Sequence, residues 1–260
     1  MEFYRSFCPP SPVLTEKNLP DQSGKIFIVT GANSGVGAEL TKILYGRNAT
    51  VYVGARSEKK AIDAIAGIKK AHPNSGGRLV FLQLDLSDLT TIKASAQNFL
   101  AAESRLDVLW LNAGVMAPPQ GSTTSQGYEL QLGTNNLGHF LFVKYLHDIL
   151  RKTAITAPNN SVRVIWVSSS GAMLAPKPAI NFDNMDYSKD EGAMKKYFRS
   201  KAGNVLHCVE FANRSAGEGI LSLNLILFDP VYGAYTELYA GLSDEITEEQ
   251  NASFGKTASI

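Results

Sequence analysis

Short apolar runs alternate along the chain with longer segments whose apolar residues recur at helical spacing. The apolar runs predict six strands, at 25–29, 49–55, 78–84, 106–111, 162–167 and 220–227. The segments between them predict helices at 38–44, 57–71, 87–102, 128–152 and 191–214, the second capped by Ser57. Strands that alternate with helices at this spacing form parallel βαβ units. We therefore predict an α/β fold, a doubly wound parallel sheet inside a three-layer αβα arrangement.

Residues 23–243 carry this alternation and are predicted to form a single domain. Residues 1–22 are predicted to be an irregular arm rather than a signal peptide, because Pro9, Pro10 and Pro12 interrupt the apolar residues. Residues 244–260 contain no convincing apolar strand and are predicted to be an irregular tail. The sixth strand is therefore expected to be an exposed edge of the sheet.

The first strand runs into a glycine-rich turn, TGANSGVG at 30–37, which a helix follows. Glycines in such a turn allow a tight bend, close approach of the backbone to a phosphate, and close packing of helix on strand. The free N–H groups and the positive end of the helix favour an anion at this point. The pattern predicts a Rossmann-type dinucleotide site. Its contacts are Gly31, Asn33, Ser34, Gly35, Val36 and Gly37.

The end of the second strand indicates which dinucleotide is bound. An acidic residue there would accept a hydrogen bond from the ribose 2′-OH of NAD. This chain has Gly54-Ala55-Arg56-Ser57 and no carboxylate before Glu58. Arg56 offers a planar donor fork for a 2′-phosphate, so we expect NADP(H) rather than NAD(H). The alternative is that Arg56 is a solvated surface residue.

Composition and charge exclude several classes of function. The 260 residues are 44% hydrophobic and 19% charged with a net charge of +1, so a nucleic-acid partner is not expected. No apolar stretch approaches the length of about 20 residues that a membrane span requires. Cys8 and Cys208 lie far apart without metal-type spacing, so no metal site is predicted. Two free thiols favour a reducing compartment, and we expect a cytoplasmic protein, with peripheral membrane association left open.

Tyr197 and Lys201 stand four residues apart on a predicted helix, so both side chains leave one face. A tyrosine is a poor acid or base at neutral pH, because its ordinary pKa is about 10. A neighbouring lysine ammonium favours the tyrosinate. The pair is therefore a candidate for proton transfer.

Several motifs together resemble the short-chain dehydrogenase/reductase family over roughly residues 22–224. They are TGANSGVG at 30–37, Asp85-Leu86, Leu111-Asn112-Ala113-Gly114, TNNLGHF at 134–140, Val167-Ser168-Ser169, and Tyr197-Phe198-Arg199-Ser200-Lys201. The TNNLGHF segment and the long stretch between Ser169 and Tyr197 resemble the retinol-dehydrogenase-like and WW-domain-oxidoreductase-like branch. The resemblance implies an NADP(H)-dependent oxidoreductase that interconverts a carbonyl and an alcohol, with a lipophilic small-molecule substrate and a possible homodimer.

The resemblance also implies roles for single residues. Tyr197 would be the acid/base, and Lys201 would assist it and bind the nicotinamide ribose. Ser169 would hold the substrate oxygen, with Ser168 and Ser170 as alternatives, and Asn135 would help to hold a water in a proton relay. Asp85 would contact the adenine. Further cofactor contacts would come from Leu86, Asn112, Ala113 and Gly114, and from Tyr197 and Lys201 themselves.

The chain departs from the family pattern after the sixth strand. The family has a Pro-Gly turn and a long substrate lid there, whereas here Ser222-Leu223-Asn224 continues directly into Leu225 to Pro230. The comparison indicates a deletion of some tens of residues, with the lid and the seventh strand missing or altered. Three hypotheses follow: an active enzyme with a shortened lid, a non-catalytic or impaired NADP(H)-binding protein, or a truncated or alternatively spliced product that folds poorly.

Overall fold

A single parallel sheet organises the computed structural model of the protein, which describes residues 11–225 and 230–252. Its strands within these residues are β1 (Ile26–Thr30), β2 (Thr50–Ala55), β3 (Arg78–Gln83), β4 (Val108–Leu111), β5 (Val162–Val167) and β6 (Ile220–Leu225). Their order across the sheet is β3-β2-β1-β4-β5-β6. The order reverses direction between β1 and β4, and in open α/β sheets such a reversal leaves a crevice at the carboxyl ends of the strands.

Helices connect the strands and cover both faces of the sheet. They are α1 (Gly35–Gly46), α2 (Glu58–Ala71), α3 (Leu89–Ala102), α4 (Leu130–Leu132), α5 (His139–Thr156), α6 (Ala193–Arg214) and α7 (Pro230–Leu242). Short 3₁₀ helices lie at Ser170–Leu174, Phe182–Asn184 and Glu248–Gln250. The predicted α/β class and Rossmann-type topology are confirmed.

Alternate residues of each strand enter opposite layers of the core, because successive side chains of a strand point to opposite faces. Phe27 and Trp110 face one layer, where they meet in an edge-to-face contact with ring centroids 5.3 Å apart. Helices α1, α2 and α7 cover that layer. Ile28 and Trp166 face the other layer, beneath α3, α5 and α6. Both tryptophans are buried, as the apolar pattern predicts.

The predicted helix at 128–152 differs from the observed one. The helix begins at Leu130, passes through a π-helical segment at Gly133–Gly138, and continues as α5 to Thr156. The backbone N–H of His139 donates to the carbonyl of Asn136 rather than to that of Asn135, its partner in an α-helix. The apolar periodicity does not report such a local change in hydrogen bonding, and π segments often mark functional sites.

Helix α7 follows β6 after residues 226–229, which lie outside the described part of the chain together with 1–10 and 253–260. The sequence did not predict this helix. Its apolar face packs against α1 and the sheet, where Ala234 and Leu238 are fully buried. The predicted lack of a Pro-Gly turn falls on residues 226–229, so the structure does not describe that turn.

The expectation of a bare edge at β6 is wrong at the middle of the strand. The Ser222 N–H donates to Asn251 Oδ1 at 2.8 Å, and the Ala252 N–H donates to the Ser222 carbonyl at 2.9 Å. A capping box between Thr247 and Gln250 holds the preceding turn. Pairing with residues 251–252 therefore covers part of the edge.

Residues 11–22 run across the surface formed by α1 and α7. Leu19 is buried in the core layer that those helices cover. The backbone N–H of Gln22 donates to the carbonyl of Arg47 at 2.7 Å, and the hydroxyl of Tyr235 donates to Glu16 Oε2 at 2.6 Å. These contacts fix the described part of the N-terminal segment to the domain.

Candidate active site

The turn between β1 and α1 is closed by two glycines that leave no space for a side chain. Gly31 has a φ of +69°, and a Cβ on it would lie 3.0 Å from the Cα of Ala113. A Cβ on Gly37 would lie 2.5 Å from Asn112 Nδ2 and 2.7 Å from the carbonyl oxygen of Gly31. Asn112 Nδ2 also donates to the carbonyl of Thr30 at 2.8 Å. The turn therefore packs directly on the segment after β4.

The first turn of α1 is free to bind an anion. Ser34 precedes the helix in an extended conformation, and its side chain makes no capping hydrogen bond. The N–H groups at the start of a helix, which lack partners within it, are a site for phosphate. A cavity of about 390 Å³ opens beside this turn at the carboxyl edge of the sheet. These features fit the pyrophosphate of a dinucleotide.

Nine of the predicted cofactor residues line that cavity. They are Gly31, Asn33, Ser34, Arg56, Asp85, Leu86, Asn112, Ala113 and Gly114. Gly35, Val36 and Gly37 form the first turn of α1 beside it. The lining also includes Thr134 and Leu130, which the sequence had not singled out. The structure thus brings residues from four strand ends, those of β1, β2, β3 and β4, around one crevice.

We expect Gly37→Ala to damage this turn. Its Cβ would collide with the backbone of Gly31, which cannot turn aside, so we expect a loss of about 2 kcal/mol in the free energy of unfolding. NADPH binding should weaken at least about tenfold, because the phosphate-binding turn shifts with it. Urea unfolding and fluorescence titration with NADPH measure the two effects.

Gly67→Ala is the matched control. Gly67 lies in the interior of α2, and a Cβ there would have no atom within 4 Å. Alanine should stabilise the helix by about 0.5–1 kcal/mol and leave NADPH affinity unchanged. Equal behaviour of the two variants would contradict the steric argument for Gly37.

Two side chains at the far end of the cavity are available to the adenosine half of a dinucleotide. Arg56 is exposed directly after β2, and its carbonyl accepts a hydrogen bond from Gln83 Nε2 at 3.0 Å. Asp85 Oδ1 accepts hydrogen bonds from the Ser87 N–H at 2.9 Å and the Ser87 hydroxyl at 2.6 Å. These bonds fix the Asp85 carboxylate against the rim of the cavity.

Asn135 is fully buried in the π-helical segment and holds the irregular segment that follows β4. Its Oδ1 accepts the N–H of Val115 at 2.7 Å, and its Nδ2 donates to the Val115 carbonyl at 2.9 Å. Nδ2 also lies 3.0 Å from Ser200 Oγ on α6. Asn135 therefore joins the cavity wall to the helix that carries Tyr197 and Lys201.

The three candidate serines have different surroundings. The Ser168 hydroxyl is buried and donates to the backbone carbonyl of Lys201 at 2.8 Å. Ser169 is half-buried, and its Oγ accepts the N–H of Gly171 at 3.1 Å, which leaves the hydroxyl hydrogen for another acceptor. Ser170 is exposed. This arrangement favours Ser169 for holding a substrate oxygen.

Tyr197 and Lys201 lie on successive turns of α6. Lys201 Nζ is 5.9 Å from the centre of the Tyr197 ring and donates to the carbonyl of Val167 at 3.0 Å. A Cβ on Gly114 would be 3.5 Å from the same Nζ, so the ammonium reaches the wall of the dinucleotide cavity. Burial lowers the pKa of Lys201 to about 8, against which the charge of Glu237 acts.

Glu237 is a buried residue of the site that sequence reasoning missed. It projects from α7, it is fully buried, and neither carboxylate oxygen has a hydrogen-bond partner in the described residues. Burial raises its pKa to about 8, and the positive charge of Lys201 opposes that rise. Burial therefore disfavours the ionised form of this carboxyl. No motif signalled it, because an isolated glutamate in a helix is normally a solvated residue.

Arg199, within the Tyr197–Lys201 motif, fixes the long segment before α6. Its Nε and Nη2 bind the two oxygens of Glu191 at 2.7 and 2.9 Å. Its Nη1 donates to the carbonyls of Pro176, Pro178 and Ala179. The same arginine therefore holds both ends of the segment against the helix that carries Tyr197.

Comparisons of sequence and structure identify the class of protein that this fold and site define. Residues 25–180 match the model of the short chain dehydrogenase family. A relative from Emericella nidulans, the short-chain dehydrogenase/reductase pkfC, is 54% identical over an alignment that covers 92% of this chain and 84% of the relative. The chain belongs to the short-chain dehydrogenase/reductase family and is an oxidoreductase.

Solved structures share this architecture. An uncharacterised protein from Mycobacterium paratuberculosis matches with a TM-score of 0.75 and 30% identity over 90% of this chain and 82% of that one. The NADP active-site complex of RhlG from Pseudomonas aeruginosa matches with a TM-score of 0.62 and 25% identity over 80% of this chain and 74% of that one. In the described residues of the present protein, no helix has both the length and the apolar character to cross a membrane.

Proposed function

We propose that the protein uses NADP(H) to interconvert a carbonyl and an alcohol on a lipophilic small molecule. One observation carries the proposal. Lys201 Nζ reaches the wall of the dinucleotide cavity at Gly114, and Tyr197 lies on the same helix as Lys201. The structure of RhlG, which resembles this fold, is an NADP active-site complex. That likeness and the position of Arg56 at the cavity support NADP(H) over NAD(H).

The bound dinucleotide supplies or accepts the hydride, and the chain supplies orientation and protons. The Ser169 hydroxyl donates a hydrogen bond to the substrate oxygen. Tyr197 gives that oxygen a proton in the direction of reduction and removes one in the direction of oxidation. The Lys201 ammonium stabilises the tyrosinate that the proton transfer leaves. Asn135 holds the backbone at Val115 beside these groups.

Exposed apolar side chains near these residues support a lipophilic substrate. Met173 and Leu174 are largely exposed in the 3₁₀ helix that begins after Ser169. Met116 is also largely exposed and follows Val115, which Asn135 holds. Exposed large apolar side chains are available to contact an apolar ligand.

Turnover with two cofactors tests the proposal. Purified protein is titrated with NADPH and with NADH by fluorescence transfer, and is then assayed with long-chain aldehydes, ketones and alcohols. We expect tighter binding of NADPH and consumption of NADPH with at least one substrate. Tight binding without turnover across the whole panel would favour the second candidate, a non-catalytic NADP(H)-binding protein.

Two observations favour that second candidate. Only residues 226–229 connect β6 to α7, which leaves no length for a substrate lid in that connection. The buried carboxyl of Glu237 faces Lys201 without a hydrogen-bond partner in the described residues. Both observations support the proposed deletion after β6, and a site without a lid admits more water. The encoding transcript tests the deletion directly.

We expect Arg56→Ala to discriminate between the two dinucleotides. Loss of a charged hydrogen-bonding fork from a phosphate removes about 1.5–3 kcal/mol, so the Kd for NADPH should rise about 10- to 100-fold. The Kd for NADH should change by less than about threefold, because NADH carries no 2′-phosphate. Fluorescence titrations of both dinucleotides provide the comparison.

Lys59→Ala is the control for charge alone. Lys59 is an exposed cation of α2 whose Nζ pairs with Asp63 Oδ2 at 2.9 Å. It should leave both affinities nearly unchanged. If Arg56→Ala weakened NADPH and NADH equally, Arg56 would have no part in choosing the 2′-phosphate.

The family branch, the location and the oligomeric state of the protein are further proposals. We propose membership of the retinol-dehydrogenase-like branch, a cytoplasmic location in keeping with the buried thiol of Cys208, and a homodimer. Exposed Phe140 on α5 and Leu206 and Val209 on α6 offer an apolar face for a second copy. The mass of the protein in solution, measured by light scattering, tests the dimer.

A further inference from the structure

His139 is a buried, titratable residue to which the proposed reaction assigns no role. It is the first residue of α5, directly after the π-helical segment, and its side chain is fully buried. Its ring nitrogens contact two different parts of the site. Nε2 lies 3.0 Å from the hydroxyl oxygen of Thr30, and Nδ1 lies 3.2 Å from the backbone carbonyl oxygen of Asn135.

The partners determine where the proton of the imidazole resides. The Asn135 carbonyl can only accept, so Nδ1 carries the hydrogen and donates it. Nε2 is then an acceptor, and the Thr30 hydroxyl donates to it. The Thr30 oxygen in turn accepts the N–H of Ala113 at 2.9 Å. One directed chain of hydrogen bonds therefore runs from Ala113 through Thr30 and His139 to Asn135.

The chain closes into a ring. Asn135 binds both backbone groups of Val115, two residues after Ala113, at 2.7 and 2.9 Å. Thr30 ends β1, directly before Gly31 of the phosphate-binding turn. His139 is thus the side chain that connects the end of β1 to the π-helical segment. The backbone N–H of His139 bonds to the Asn136 carbonyl, whereas its imidazole bonds to the Asn135 carbonyl.

The backbone hydrogen bonding at His139 departs from that of an α-helix. In an α-helix the Asn135 carbonyl would accept the N–H of residue 139. Here the N–H of His139 bonds to the Asn136 carbonyl instead, and the imidazole of the same residue donates to the Asn135 carbonyl. Closed networks of buried hydrogen bonds hold a single arrangement, because each broken bond leaves a buried polar group unsatisfied.

We propose that His139 is a positioning residue that fixes Asn135 and the backbone of residues 113–115 relative to the phosphate-binding turn. This inference rests on the proposed function, because it assigns Asn135 to the reacting end of the site. The imidazole acts in its neutral form. Burial lowers its pKa to about 3; the hydrogen bond to the Asn135 carbonyl acts against this shift, and the charge of Lys201 adds to it.

Three substitutions of His139 distinguish its hydrogen bond to Asn135 from its hydrogen bond to Thr30. His139→Asn keeps an amide N–H near the Nδ1 position, whereas His139→Gln places its amide near the Nε2 position. His139→Phe removes both bonds and keeps an aromatic ring. We expect kcat to fall at least about tenfold in the Phe variant, with the Kd for NADPH within about threefold of wild type. The Asn variant should retain more kcat than the Gln variant.

His147→Phe is the matched control on the same helix. His147 is partly exposed and its Nε2 pairs with Glu218 Oε2 at 2.6 Å, away from the site. It should leave kcat unchanged. Full kcat in a folded His139→Phe protein would overturn the proposal. Equal losses of kcat in the Asn and Gln variants would also overturn it. If the Phe variant does not fold, the comparison of the Asn and Gln variants tests the proposal.

A second measurement does not depend on turnover. Nitrogen NMR of the wild-type protein labelled at histidine should show His139 neutral, protonated on Nδ1, and free of titration between pH 5.5 and 8. A proton on Nε2, or titration in that range, would overturn the proposal. If the NMR result is as expected while the wild type turns over no substrate, then the proposed function fails and the hydrogen-bonded ring stands.

Discussion

Tyr197→Phe should reduce kcat by about 10³-fold while leaving the Kd for NADPH within about threefold of wild type. The substitution removes one oxygen and keeps the ring whose centre lies 5.9 Å from Lys201 Nζ. An acid or base that moves a proton in the transition state contributes about 10²–10⁴-fold, and a residual rate remains from orientation alone. Initial rates at saturating NADPH and fluorescence titration of the same preparation measure both quantities.

Tyr232→Phe controls for the loss of a tyrosine hydroxyl elsewhere. Tyr232 is about half-exposed on α7, where its ring packs edge-to-face on Tyr235 at 6.3 Å. It should retain full activity. Retained activity in Tyr197→Phe would remove Tyr197 from proton transfer and leave the cavity with a binding role only. A parallel loss of NADPH affinity would instead indicate that the variant disturbs the cofactor site.

Lys201→Met should change activity and stability in opposite directions. Activity should fall by about 10²- to 10³-fold, because the ammonium that favours the tyrosinate is gone. The free energy of unfolding at pH 7 should rise by about 1–3 kcal/mol, because methionine removes a buried charge and keeps similar volume. The Val167 carbonyl keeps a donor, since Asn204 Nδ2 also lies 3.0 Å from it.

The stability gain of Lys201→Met should depend on pH. The pKa of Lys201 is about 8 in the folded protein against an ordinary value of 10.5. Between these values the unfolded chain binds more protons, so wild-type stability rises with pH in that window. The advantage of the variant should therefore be largest below pH 8 and shrink toward pH 10.5. Urea unfolding at pH 7 and pH 10 measures this difference.

Lys196→Met provides the comparison with a buried lysine that forms an ion pair. The Lys196 side chain is also buried, but its Nζ pairs with Asp190 Oδ1 at 2.9 Å. Its substitution should lower stability slightly or leave it unchanged. A stability loss in Lys201→Met as large as or larger than that in Lys196→Met would contradict the expectation that burial of the Lys201 charge destabilises the fold.

The fold was predictable because its signals are local and repeated. Each strand is a buried apolar run, and the helices between them carry their own start signals, as at Ser57, whose Oγ accepts the Lys60 N–H. The predicted boundaries differ from the observed ones by at most four residues. The π-helical segment at Gly133–Gly138 could not be predicted, because it depends on contacts made after folding. Gly138 packs against Leu86, where a Cβ would lie 2.5 Å from the backbone oxygen.

The site was predictable only where residues form sequence motifs. The glycine turn, Asn112 to Gly114, and the pair Tyr197 and Lys201 could all be found in that way. The interaction of Glu237 with Lys201 and the contact of Thr30 with His139 could not be found in that way. Each involves two residues more than 30 positions apart, and no periodic pattern relates them. Long-range polar contacts inside a core depend on the packing of whole elements.

The strand order β3-β2-β1-β4-β5-β6 has a consequence for how the chain folds during synthesis. Each strand that emerges after β1 adds to an edge already made: β2 and β3 extend one side, then β4, β5 and β6 extend the other. No strand has to insert between two that are already paired. Nascent chains fold from the N-terminus, so the sheet can grow outward as the ribosome releases it. Residues 251–252 cover part of the last edge, so that part stays open to other chains until these two residues have been synthesised and have paired with β6.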